Sequence, residues 1–281
     1  VEARTQGSFV AAEMGAKAIL IRSVGTDDDR LPHTGVALSR REILAQPGAD
    51  RKYRKKTRSG LPIVATPIPA AAISNPDADL LSRMLERSLP GVVRLALDVG
   101  FDGEHTGANV IGEITGSELP EEVVLIGGHL DSWDLGTGAI DDGAGVAITM
   151  AAGHLIGRLP KAQRPARTIR VVAFANEEQG LYGGNAYAQK YIGDLRKHQL
   201  GAESDFGAGR IHAFTAKVPD YAKDAIARIA QALAPLGIEP RVDGEGCGPD
   251  LSPFNDAGMA CAGLAQDGTD YFDYHHTAND T

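Results

Sequence analysis

Five side chains able to ligate a metal stand at the ends of short apolar runs or in the loops that follow them: His129, Asp141, Glu178, Asp205 and His276. Two imidazoles and three carboxylates suit Zn²⁺, and less selectively Mn²⁺ or Co²⁺. One zinc ion needs only three protein ligands and a water, so five donors point to two ions sharing a carboxylate. Asp141 is the expected bridge, because the Gly-rich stretch around it lets the backbone come close. Glu177 adjoins Glu178, and neighbouring side chains at a strand end point different ways. Glu178 is therefore read as the ligand, and Glu177 as the general base that moves a proton from water to a leaving amine. Asp131, two residues beyond His129, is placed to orient that ligand's ring through its second N–H. Taken singly these signals are weak. A His-x-Asp is common in loops, and Glu-Glu can be no more than an acidic helix start on the dipole. Their conjunction, in this order and all beyond strands, carries the reading.

The elements that must position these residues are legible from periodicity. Val123 to Gly127 is an apolar, β-branched run that suits a strand buried on both faces, and Gly145 to Leu155 reads as a largely buried helix. Ile169–Ala175 is the next strand, Gln199–Ser204 is weakly strand-like, and Ala260–Ala265 is the last. Asn109–Ile114 and Val92–Leu97 also read as strands, and residues 220–236 as an amphipathic helix. Strands alternating with helices imply an α/β fold, a mostly parallel sheet covered on both faces. In such sheets ligands bind beyond the carboxyl ends of the strands. Toward the N-terminus, residues 5–22 read as a helix and the strand 18–21, and Ile63–Thr66 as another strand. Asn75 is the expected cap of a helix with Pro76 at its first position. A boundary is placed near Pro90, giving residues 1–90 and 91–281 as two domains.

The chain has 281 residues, 43% of them hydrophobic, enough for one large or two smaller cores. A net charge of −9 argues against nucleic acid or an anionic membrane surface as partner, and no apolar run is long enough to span a bilayer. The basic run Arg51–Lys56 reads as a solvated loop. Cys247 and Cys261 are open to pairing or to remaining free thiols. The start at Val1 and the stop at Thr281 suggest a piece of a longer or processed protein.

The stretches GGHLDSWDLGTGAIDDGAG, FANEEQG, ESD and YHHTANDT together resemble the co-catalytic zinc exopeptidases that include bacterial leucyl aminopeptidases and glutamate carboxypeptidase, and within them the carboxypeptidase Q branch. The resemblance covers nearly the whole chain. Residues 18–24 and 32–35 are similar to that branch's protease-associated lid, making residues 1–90 a partial lid and 91–281 the catalytic domain, with a final helix expected beyond Thr281. It implies two zinc ions, one held by His129 and Asp205, the other by Glu178 and His276, with Asp141 bridging, Glu177 as base and Asp131 as orienting residue. The spacing of the His-Thr pair to Asp280–Thr281 selects His276 over His275. Gly246 stands about where leucyl aminopeptidases carry a Tyr near the substrate carbonyl. The implied partner is a small peptide, with Asp250 among the acidic candidates for reading its free amine; a homodimer and a secreted or periplasmic location are expected with it. Two other readings compete: a metal-free binding domain of the same fold, and acyl transfer of the glutaminyl-cyclase kind.

Overall fold

A computed structural model of the chain describes residues 2–35, 68–89, 91–100, 103–241 and 246–281. The expected strand at 63–66, the basic run at 51–56 and Pro90 lie outside these residues. The chain divides into two compact units, Val1–Val99 and Gly100–Thr281.

In the N-terminal unit, helix α1 (Glu2–Glu13) precedes strand β1 (Ile19–Arg22), which pairs in parallel with β2 (Ala70–Ile73). Helix α2 (Asn75–Glu86) follows. Its cap is Ser74, one residue earlier than the sequence suggests: the Asp77 amide donates to Ser74 Oγ at 3.3 Å. Asn75 instead donates from its side chain to the carbonyl of Gly25. Val92–Leu97, expected as a strand, is irregular and pairs with no strand among the described residues, with Val92 93% exposed. β-Branched residues favour a strand only where a pleated surface receives them.

The second unit holds a seven-stranded sheet. Its strands are β3 (Val110–Ile114), β4 (Leu119–His129), β5 (Arg167–Phe174), β6 (His198–Glu203), β7 (Ile211–Lys217), β8 (Glu239–Arg241) and β9 (Cys261–Gln266). They run in the order β3-β5-β4-β6-β9-β7-β8. β5, β4, β6 and β9 are mutually parallel, β3 runs against β5, and β7 runs against β9 but parallel to β8. β4 alternates more than its apolar run suggests. Val123 and Leu125 are fully enclosed on one face, whereas Val124 and Ile126 on the other are half-buried.

The enclosed face forms the main core: Leu125, Val172 and Phe174 of the sheet pack with Leu251, with Tyr187 of α4 (Tyr182–Tyr191) and with Phe254 of α6 (Ser252–Asp256). Each such side chain removed from water contributes about 1.5–3 kcal/mol. Cys247 and Cys261 form a disulfide inside this core, which resolves the alternative left open by the sequence. Helix α3 (Ala144–Gly157) lies on the opposite face, where Gly153 lets it close on Val171. Helix α5 (Lys223–Leu233) covers a second cluster of Phe214, Ala230, Ile238 and Ala262. A short helix, α7 (Tyr271–Tyr274), follows β9. β7, β8, α6 and α7 carry no strong periodicity and were not anticipated from the sequence.

Candidate metal centre

Because β4, β5, β6 and β9 run parallel, their carboxyl ends lie along one edge of the sheet. His129 is the last residue of β4. Glu177 and Glu178 follow β5, Asp205 follows β6, and His276 follows β9 and α7. Asp141 lies in the irregular turn Ala139–Gly143 that enters α3. All five expected ligands meet there.

Asp141 is buried between two groups. Its Oδ1 is 3.1 Å from His129 Nε2, and Asp205 Oδ1 lies 3.4 Å from the same nitrogen. Its Oδ2 is 3.2 Å from His276 Nε2, which in turn lies 2.9 Å from Glu178 Oε2. One carboxylate thus faces two separate donor sets. His275 also reaches Asp141 Oδ2, at 3.3 Å, and its ring stacks on that of His276. Among the described residues, His129–Asp141–Asp205 and Asp141–His275–His276 are the groupings close enough to hold an ion. His276 Nε2 is also paired with Glu178 Oε2.

The site is built from the backbone up. Gly128 and Gly145 let β4 and α3 approach so closely that a Cβ at either would strike Asp142. Asp142 uses that proximity: its carboxylate accepts from the His129 amide at 3.0 Å and from the Gly145 amide at 3.2 Å. Asp280 secures the other side of the turn. Its carboxylate accepts from the Ile140 amide at 2.6 Å and the Asp141 amide at 3.1 Å, and its carbonyl from the amides of Thr137 and Gly138.

Asp131 engages differently from its expected contact. The His129 Nδ1 atom meets the Asp131 carbonyl at 2.9 Å, while the carboxylate stands 3.7 Å away. That carboxylate accepts instead from the amides of Glu177, at 2.8 Å, and Glu178, at 3.2 Å. Asp250 is fully buried, accepts from the Gly184 amide and donates its own amide to Glu203 Oε2, so it faces the core. The sequence reading does not assign the amide-holding roles of Asp142 and Asp280 or the pairing of Glu203 with Asp250, which it names only as a candidate for reading a substrate amine. The adjacent Asp141–Asp142 doublet was the signal for the first of them.

Burial and close charges shift the titrating groups along this edge. Burial raises the Glu177 carboxyl, with Asp205 and Glu178 nearby, to about 8. Burial and the Asp205 charge lift Asp142 to about 8. Burial also raises Glu178 and Asp205. For His129, burial opposes the charged form, but hydrogen bonds with Asp141 and Asp205 outweigh it and push the imidazole up to about 12. His276 is lifted against burial by Asp141 and Glu178 to about 9. Burial disfavours the Asp141 carboxylate, yet the two imidazoles hold it well below the usual range. Glu178 Oε1 is buried and accepts no hydrogen bond, and the equally buried Asp141 Oδ2 is met by the imidazoles of His275 and His276. Orphaned buried oxygens are costly unless something absent fills the role. A cation in either grouping would be met by Asp141, so the residues fit a metal ion, with Glu178 beside the second grouping through His276.

Comparison with known proteins agrees with this arrangement. The profile of peptidase family M28 matches residues 109–281. The chain belongs to that family. Over all 281 residues it is 36% identical to human carboxypeptidase Q and 35% identical to the mouse protein. It spans about half the length of these curated relatives, 54% in each case. The crystal structure of a peptidase M28 precursor from Shewanella amazonensis is 46% identical, with a TM-score of 0.80 over the whole chain and 58% of its own. A zinc aminopeptidase from Bacillus subtilis, 19% identical, shares the fold over 96% of this chain and 60% of its own with a TM-score of 0.57. The sequence-based α/β assignment thus stands as the M28 fold. No described helix is long and apolar enough to cross a membrane.

Proposed function

We propose that this M28 chain is the catalytic part of a dinuclear zinc exopeptidase that hydrolyses amide bonds near a terminus of small peptides. The observation that carries the reading is the single carboxylate of Asp141, whose two oxygens face separate imidazole–carboxylate sets. His129 and Asp205 would hold one ion, Glu178 and His276 the other, and Asp141 both. When bound, such a pair polarises the scissile carbonyl and makes water a competent nucleophile at neutral pH.

Glu177 takes the proton of the attacking water and delivers it to the departing amine. Its burial supports the role, since a base with raised proton affinity both accepts and returns a proton near neutral pH. Asp131 positions the pair of glutamates through their amides. The substrate class is supported by the carboxypeptidase Q relatives and by the aminopeptidase that shares the fold. The N-terminal unit is read as part of a protease-associated lid, on the sequence resemblance of residues 18–24 and 32–35. The buried Cys247–Cys261 disulfide supports an oxidising location, secreted or periplasmic.

The test is metal removal and return, with hydrolysis followed on dipeptides, N-blocked peptides and C-amidated peptides. Loss on chelation and recovery with Zn²⁺ is expected, with a free terminus required. Activity that survives complete metal removal refutes the mechanism. A protein that never takes up zinc is a binding domain instead.

A further inference from the structure

Trp133 is the only tryptophan of the chain and lies in the loop between β4 and the Asp141 turn. Its indole Nε1–H donates to Glu178 Oε2 at 2.6 Å, a short contact for this kind of bond. The same oxygen is the one that faces His276 Nε2. The indole ring also lies against the His276 imidazole, with centroids 5.7 Å apart. Its loop is not free to move away. The Gly136 amide donates to the Trp133 carbonyl, and the amides of Thr137 and Gly138 donate to the carbonyl of Asp280. A side chain at Gly136 would collide with the backbone of Asp280 and Thr277, so the loop and the His276 segment are closely packed.

We infer that Trp133 is a positioning residue for the Glu178–His276 half of the centre. Its N–H fixes one oxygen of Glu178 and its ring backs His276, leaving the buried Glu178 Oε1, which accepts no hydrogen bond, available to a cation. The inference rests on the dinuclear reading and adds an asymmetry to it. In the described contacts, the His129–Asp205 half has no equivalent support from Trp133. Removing the N–H while keeping an aromatic ring therefore weakens one ion and spares the other. A carboxylate that holds an indole N–H also alters the emission of that indole when a cation takes its charge, so the sole tryptophan reports its own half of the site.

The experiment is a titration of metal-free full chain with Zn²⁺ alone, following tryptophan emission and, in parallel, competition with a chromophoric chelator. One of two binding steps is expected to change the emission. Trp133→Phe should weaken that step roughly 10–100-fold, the usual range for a lost partner of a metal ligand, and leave the other unchanged. His276→Ala should remove the emission change while the other step persists. Far-ultraviolet circular dichroism of each metal-free variant separates misfolding from lost affinity, and the wild-type emission titration needs no variant. Emission constant through both steps, or both ions bound by Trp133→Phe as by wild type, overturns the inference and leaves the dinuclear reading intact. A wild-type chain that takes up no Zn²⁺ overturns both.

Discussion

Asp131→Ala is the perturbation that most directly probes how the centre is held. The Asp131 carboxylate accepts two main-chain amides, those of Glu177 and Glu178, and so fixes the proposed base and the proposed ligand together. Deleting it strands both N–H groups. A hydrogen bond to a charged group contributes roughly 1.5–3 kcal/mol, and a stranded buried donor costs about 1–3 kcal/mol. The Asp131 side chain is 24% exposed, so water reaches the vacated space and the low end applies, about 1 kcal/mol for each amide. With the lost charge assistance the sum is about 2–3 kcal/mol, or roughly 30- to 150-fold at 1.36 kcal/mol per decade. Asp131→Asn keeps one acceptor and should lose about tenfold. The assay measures turnover on a dipeptide and the affinities of the two Zn²⁺ steps separately. Turnover and the Glu178–His276 step should fall. The His129–Asp205 step should hold, because His129 Nδ1 is met by the Asp131 carbonyl, which every side-chain substitution preserves. A loss confined to the His129 side, or no loss in Asp131→Ala, refutes the reasoning.

Glu177→Gln should retain metal and lose turnover by roughly 10²–10⁴-fold, as expected for a general base; near-wild-type turnover would assign the proton to another group. His276→Ala should lower the bound zinc count and His275→Ala should not, read by elemental analysis; the reverse result exchanges the two ligands. Zinc uptake at neutral pH should expel protons, because in the metal-free chain His129 and His276 hold protons up to about 12 and about 9, and both must be neutral to ligate. Apparent affinity therefore rises with pH and is lost as pH falls, which calorimetry in buffers of different ionisation enthalpy checks; zero proton release contradicts it. Replacing Cys247 and Cys261 together by Ala opens a short loop, with the cysteines 14 residues apart, and should cost about 3 kcal/mol, a fall of roughly 6–12 °C in Tm by thermal melt.

The site was legible in the sequence to the extent that strand ends are legible. β4 and β5 announce themselves by apolar runs, and His129, Glu177 and Glu178 follow them directly. Asp205 and His276 follow weaker signals and are fixed only by the parallel order in which β6 lies beside β4 and β9 beside β6. What periodicity could not reveal is the set of backbone clasps. Asp280 looks like the middle of a glycosylation sequon, and its grip on Ile140 and Asp141 depends on a distant approach that no local pattern encodes. Asp131 was legible as a partner of the site but not in its contact, since a carboxylate and its own carbonyl compete for one imidazole at short range. Val92–Leu97 shows the converse: a strand-like composition yields no strand where no neighbour offers a ladder.

The clasp between Asp280 and the Asp141 amide joins positions 139 residues apart. Closing contacts so remote along the chain carries a large entropic cost. The turn bearing Asp141 therefore stays unpinned until the segment bearing Asp280 has reached it.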